Sequence, residues 1–228
     1  VNLEFEVNDV LQAINSKFDQ FNSDVYYAFI RDMISRKWSS LEEGNQKSAN
    51  YTISDLEKRS SKSKFNVMTI CNTGKLACGP LGTALGVITT LNNQNKLGNV
   101  FCLETRPYLQ GSRLTSFELV KEEISHNIIV EGAISHVMKN ENIDAIFVGA
   151  DRIAANGDTA NKIGTSTLAI VAKHYNVPFY VVAPTSSFDF NAMDSSEIKI
   201  EYRSEDEILN FSGNRVAPDK SRAYNPSF

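Results

Sequence analysis

Ala145-Ile146-Phe147-Val148-Gly149-Ala150 is continuously apolar and is followed at once by Asp151-Arg152. A run this short, bounded by Gly and a charged pair, reads as a strand buried on both faces. Residues 66–71, 100–104, 127–131, 179–183 and 198–202 form further short runs of the same kind. Between them, residues 82–92, 112–122, 133–139 and 159–175 are long enough for several helical turns. Doubly buried strands that alternate with helices predict an α/β fold, a Rossmann-like, doubly wound, mainly parallel sheet covered on both faces. In such a sheet ligands bind beyond the carboxyl ends of the strands, where the strand order reverses. Chemistry is therefore to be sought in the residues that directly follow each run.

Upstream of these runs the pattern changes. Val10, Leu11, Ile14 and Phe18 recur at helical spacing, as do Tyr26, Phe29, Ile30 and Met33, which predicts two or three amphipathic helices. The run Arg59-Ser60-Ser61-Lys62-Ser63-Lys64 then interrupts the periodicity. This divides the chain into a helical part of an N-terminal domain, residues 1–63, and a Rossmann-like domain, residues 64–228. A chain of 228 residues can bury roughly 70% of its unfolded surface without a disulfide or metal staple. Its 23 Lys and Arg against 27 Asp and Glu leave a formal net charge of −4, which argues against a nucleic-acid or anionic-membrane partner. No segment has the length and apolarity of a membrane span, and no signal-peptide core is present at the start. The three cysteines, Cys71, Cys78 and Cys102, are odd in number and lie in apolar or Gly-rich surroundings. That usage fits a reducing, cytoplasmic setting better than a disulfide framework.

The strand ends gather polar, ionisable and Gly residues. Cys71-Asn72-Thr73-Gly74 follows the first run, Glu104-Thr105-Arg106-Pro107-Tyr108-Leu109-Gln110-Gly111-Ser112-Arg113 the second, and Asp151-Arg152 the fourth. Together they describe a polar pocket for a small, hydroxylated, anionic ligand. On the residues alone Cys71 reads first as a small buried hydrophobe and second as a catalytic thiol. Asp151 reads as a general acid raised by burial, or as a helix cap or ion-pair partner. Gly74, Gly79, Gly82 and Gly86 could bring backbone amides close to a phosphate, or could mark close helix–sheet packing. Arg106, Arg113 and Lys162 could offset phosphate charge or pair elsewhere. His126, His136 and His174 show no metal-ligand spacing, and no Ser sits in a nucleophile elbow, so neither a metal nor a serine triad is expected.

Cys71-Asn72-Thr73-Gly74, the Glu104–Arg113 stretch, and Gly149-Ala150-Asp151-Arg152 with Asn156-Gly157-Asp158 and Asn161-Lys162-Ile163-Gly164-Thr165 closely resemble the methylthioribose-1-phosphate isomerases of methionine salvage. The wider superfamily includes ribose-1,5-bisphosphate isomerases and the α, β and δ regulatory subunits of translation initiation factor 2B. The resemblance implies a catalytic pair, Cys71 and Asp151, and substrate-binding roles for Gln110, Asn161 and Lys162. It implies an aldose–ketose isomerisation without metal, nucleotide or other cofactor, a small sugar-phosphate substrate, and a cytoplasmic homodimer.

Departures from the family pattern set further expectations. Nothing here matches the Arg-Gly-Ala-Pro-Ala motif that contributes to the family's phosphate site. Val1-Asn2-Leu3 and Tyr224-Asn225-Pro226-Ser227-Phe228 resemble internal family stretches, so the chain is expected to be a portion of a longer protein. Cys78-Gly79-Pro80-Leu81-Gly82 replaces the usual Gly-(Tyr/Phe)-Gly pattern, with Pro80 suited to a helix start. Glu131 stands where an Asp is common. The bisphosphate isomerase and the non-catalytic regulatory subunit remain as alternatives to the methylthio substrate.

Overall fold

A computed structural model describes residues 2–16 and 23–228. In chain order, the elements are α1 (Asn2–Asn15), α2 (Ser23–Arg59), β1 (Phe65–Thr69), α3 (Lys75–Cys78), α4 (Ala84–Asn93), β2 (Leu97–Leu103), a π-helical turn (Gly111–Thr115) running into α5 (Ser116–Lys121), β3 (Asn127–Ile129), α6 (Ile134–Asn140) and β4 (Ala145–Val148). There follow β5 (Arg152–Ala154), β6 (Thr159–Ala160), α7 (Thr165–Tyr175), β7 (Phe179–Val181), β8 (Phe188–Asp189), α8 (Asp206–Leu209), β9 (Asn210–Phe211) and β10 (Asn214–Arg215).

The main sheet has the order β3-β2-β1-β4-β7, and every neighbouring pair is parallel. The chain moves outward from β1 to β3, then returns to the other side of β1 for β4 and β7. The doubly wound reading is thus correct, and the strand order reverses between β1 and β4.

Alternation along each strand splits the core into two layers. Val67, Val100, Ala145 and Phe147 face one layer, where Ile88 and Leu91 of α4 and Leu119 of α5 pack with them. Met68, Ile70, Phe101, Leu103, Ile146 and Val148 face the other, against Ile134 and Val137 of α6 and Leu168 of α7. The second half of α2 belongs to the first layer: Ala49, Ile53 and Leu56 recur at steps that keep them on one helical face, and all are buried there. The periodic residues near the start are helical as expected, in α1 and α2, and α2 ends at Arg59 where the Ser- and Lys-rich run begins. Phe18 lies outside the described residues.

Several expectations need correction. Residues 198–202 form no strand; Tyr202 makes a single bridge to Pro226. Proline has no N–H to continue a ladder, and Lys199, Glu201 and Tyr202 are exposed, so the segment covers the surface beside the site rather than adding to the sheet. Residues 159–175 are not one helix. Thr159–Ala160 instead pairs antiparallel with β5, and Gly164, at φ +99°, turns the chain into α7. The helix expected from Ser112 opens with the π turn before α5.

Candidate active site

The loops after β1 and β4 flank the reversal point, and they carry Cys71 and Asp151. Cys71 adopts φ +64°, an uncommon left-handed conformation for a residue with a side chain. Its peptide is held on both sides by loop residues that follow β2. Cys71 N–H donates to Thr105 Oγ1 at 2.9 Å, and Thr115 Oγ1 donates to the Cys71 carbonyl. Thr105, itself at φ +66°, is fixed in turn: its N–H donates to Glu131 Oε1 at 2.7 Å and its hydroxyl to the Leu103 carbonyl at 3.0 Å. Glu131 thus serves, through Thr105, as a support for the Cys71 loop.

The Gly-rich stretch is explained by close packing. A Cβ on Gly82 would lie 2.6 Å from Gly74 Cα, and one on Gly74 only 2.3 Å from Glu118 Oε2. Thr73 ties this loop to α4, its carbonyl accepting from Thr83 N–H at 2.8 Å and its hydroxyl from Leu85 N–H at 3.1 Å. From the far side, Asn45 of α2 donates to the carbonyls of Cys78 at 3.2 Å and Pro80 at 3.0 Å.

Asp151 is held differently. Residues 152–160 form a hairpin, β5 pairing antiparallel with β6. Asn156-Gly157 turns it, Gly157 at φ +90°, with Asp158 N–H donating to Asn156 Oδ1 at 2.9 Å. The hairpin returns the chain so that Asp151 N–H donates to the Ala160 carbonyl at 2.9 Å, which sets Asn161 and Lys162 beside Asp151. Asn-Gly between two short runs is a hairpin signal that could have located this turn from sequence. Asn161 is buried, and its amide donates to Thr165 Oγ1 at 2.9 Å. The Lys162 ammonium lies 4.5 Å above the Phe228 ring.

Electrostatics couple the two walls. Burial pushes the Cys71 thiol up to about 11, partly opposed by the Asn72 N–H and the Lys162 charge and reinforced by the Asp151 charge. Asp151 reaches solvent, yet the protein packed around its carboxyl raises it above the usual carboxylate value, against the pull of Lys162. At neutral pH the thiol therefore keeps its proton, and the acid at its flank holds its own more tightly than a free Asp.

Gln110 and Lys162 line one cavity of about 190 Å³ with Arg203, Glu207, Asn225 and Ser227. Gln110 Oε1 is buried there without a hydrogen-bond partner. Cys71, Asp151 and Asn161 are not among the residues that line this cavity. Of the cations considered for phosphate, Arg106 donates to the Ile208 carbonyl at 3.2 Å and covers the Phe211 ring. Arg113 donates to the Tyr108 carbonyl at 3.2 Å and covers the Tyr108 ring. Lys162 remains as the cation whose charge acts on both Cys71 and Asp151.

A parallel, doubly wound sheet whose strand order reverses between two polar loops defines an α/β protein of the Rossmann-like class. A family profile described as the initiation factor 2 subunit family matches residues 2–228, and the chain belongs to that family. A methylthioribose-1-phosphate isomerase of Caldicellulosiruptor saccharolyticus is 50% identical over 186 residues, 82% of this chain and 54% of that protein. The crystal structure of 5-methylthioribose 1-phosphate isomerase from Pyrococcus horikoshii OT3 superposes with a TM-score of 0.89 at 36% identity, over 100% of this chain and 62% of that one. The delta subunit of translation initiation factor eIF-2B from A. fulgidus superposes at 0.83 with 34% identity, over 93% and 61%. The chain thus spans between about half and under two thirds of these relatives.

Proposed function

We propose that this chain carries the catalytic part of an aldose–ketose isomerase that converts 5-methylthioribose 1-phosphate to 5-methylthioribulose 1-phosphate in methionine salvage. The observation that carries the reading is the placement of Cys71 and Asp151 after β1 and β4, on the two sides of the point where the strand order reverses. Relatives named for this activity support the choice of substrate.

The substrate's anomeric carbon bears phosphate, so ring opening needs an acid. Asp151, its carboxyl raised above the ordinary value by burial, supplies that acid. The Cys71 thiol, still protonated at neutral pH, assists the transfer of hydrogen from C2 to C1. Gln110, Asn161 and Lys162 bind the sugar phosphate, Lys162 offsetting its charge. The reaction neither gains nor loses electrons overall, and the reading assigns all of it to side chains. In this reading the protein works as a cytoplasmic homodimer, with residues 1–63 and 64–228 as the helical portion and the Rossmann-like catalytic domain.

A second reading, a regulatory subunit that binds without turnover, is favoured by the likeness to the A. fulgidus delta subunit, which is nearly as strong as that to the isomerase. Following the sugar phosphate by NMR separates the two. Appearance of the ketose, lost in Cys71→Ala and in Asp151→Asn, supports the isomerase. Binding without conversion moves the regulatory reading to the front.

A further inference from the structure

Behind the Cys71 wall lies a set of polar contacts that the proposed reaction leaves without a role. Glu118 of α5 is 7% exposed. Its Oε1 accepts from Asn72 Nδ2 at 2.8 Å and from Leu76 N–H at 3.3 Å, and its Oε2 from Lys75 N–H at 2.7 Å. All of these partners are donors, so the position calls for a group with acceptors on both atoms. Among side chains only Asp and Glu provide one.

Thr115 stands one helical turn earlier on the same face. It donates to the Cys71 carbonyl and accepts from Asn72 Nδ2 at 3.3 Å. Thr115 and Glu118 thus grip two successive residues, Cys71 by its carbonyl and Asn72 by its side chain. The missing Cβ of Gly74 is what lets the carboxylate come this close to the loop. A buried carboxylate is costly unless hydrogen bonds satisfy it, and here they are spent on the loop that holds the reactive residue.

We propose that Glu118, acting through Asn72 and together with Thr115, is a positioning residue for Cys71 that maintains the left-handed turn presenting the thiol at the edge of the sheet. This rests on the reading of Cys71 as the reacting thiol. No local pattern marks Glu118 for this role, because a Glu within a predicted helix is ordinarily placed on the solvated face.

The test compares Glu118→Gln, Thr115→Val and Thr115→Ser with the parent protein. Glu118→Gln turns one acceptor into a donor facing an N–H, Thr115→Val removes the hydroxyl at similar volume, and Thr115→Ser restores it. One readout is the rate of Cys71 alkylation by iodoacetamide between pH 7 and 10, followed by peptide mass, with the fully buried Cys102 as internal reference. The other is kcat and KM for 5-methylthioribose 1-phosphate. In Glu118→Gln and Thr115→Val, Cys71 labelling should rise at least about fivefold while Cys102 stays unchanged, and kcat should fall at least about tenfold with KM held within about twofold. Thr115→Ser should return both toward the parent. If Glu118→Gln does not fold, the Thr115 pair decides. Cys71 labelling within about twofold of the parent, or a rise shared equally by Cys102, overturns the proposal. If the parent itself does not isomerise the sugar, the labelling arm still decides the positioning role, and the failure belongs to the functional reading.

Discussion

The two loops that flank the reversal point are built on opposite plans. The Cys71 wall is a buried loop in an uncommon conformation, held by Thr105, Thr115, Glu118 and, at one remove, Glu131. The Asp151 side is a short hairpin with an exposed turn at Asn156-Gly157, and backbone pairing on both edges of β5 holds it. In the proposed reaction, a thiol that needs fixed geometry suits the first plan, because a buried network of satisfied polar groups rigidifies its surroundings. An acid that must meet solvent and substrate suits the second. The difference teaches that one loop depends on side-chain contacts and the other on backbone pairing, and substitutions should affect them unequally.

The largest expected effect falls on turnover. Cys71→Ala and Asp151→Asn should each lower the isomerisation rate by about 10²- to 10⁴-fold, the usual worth of a proton-transferring group, with unchanged circular dichroism. A variant that keeps parental turnover would remove its residue from the pair.

Next comes a contrast between two glycines, one behind each wall. A Cβ on Gly111 would lie 1.7 Å from the Leu103 carbonyl oxygen, so Gly111→Ala should cost at least about 4 kcal/mol or prevent folding. Gly157, at φ +90°, has nothing within 4 Å of its Cβ position, so Gly157→Ala should cost only about 1 kcal/mol of backbone strain. Thermal unfolding of both measures the contrast, and equal losses would erase the distinction between the two loops.

A smaller effect has the opposite sign. Because burial raises the folded-state value of Asp151 above 3.8, the group favours the fold when protonated. Its stabilisation is complete below that ordinary value and is lost as pH rises through the raised one. Asp151→Asn should therefore be somewhat more stable than the parent at pH 7, and that gain should vanish below pH 3.8. Denaturant unfolding across this window checks it; a loss of stability at neutral pH would contradict the raised carboxyl. Last, Cys71 alkylation in the parent should keep rising with pH through pH 10, since burial places the thiol at about 11. A plateau near pH 8 would mean an activated thiolate instead.

Much of this was legible in the sequence, for physical reasons that also mark the limit. Strands buried on both faces are continuously apolar, so residues 145–150 and their counterparts announced a parallel sheet, and its reversal point put Cys71 and Asp151 in view. Gln110 and Lys162 do share a cavity, but the segment that closes it, with Arg203, Asn225 and Ser227, was not foreseen. Residues 198–202 read as another short apolar strand, and only the bridge from Tyr202 to Pro226 shows why a ladder cannot form. Thr105, Thr115 and Glu118 left no local pattern at all, because their partners lie 34, 44 and 46 residues away, at Cys71, Cys71 and Asn72. Contacts between loops that follow neighbouring strands are a property of the sheet order and not of the local sequence.

The central claim, that Cys71 and Asp151 act on one sugar phosphate from the two sides of the reversal point, is met most directly by a time course of 5-methylthioribose 1-phosphate with the parent, Cys71→Ala and Asp151→Asn proteins, followed by NMR. The account predicts ketose formation by the parent and at least about a hundredfold slower formation by both variants. Parental rates in either variant, or a parent that binds the sugar phosphate and leaves it unchanged, would contradict it.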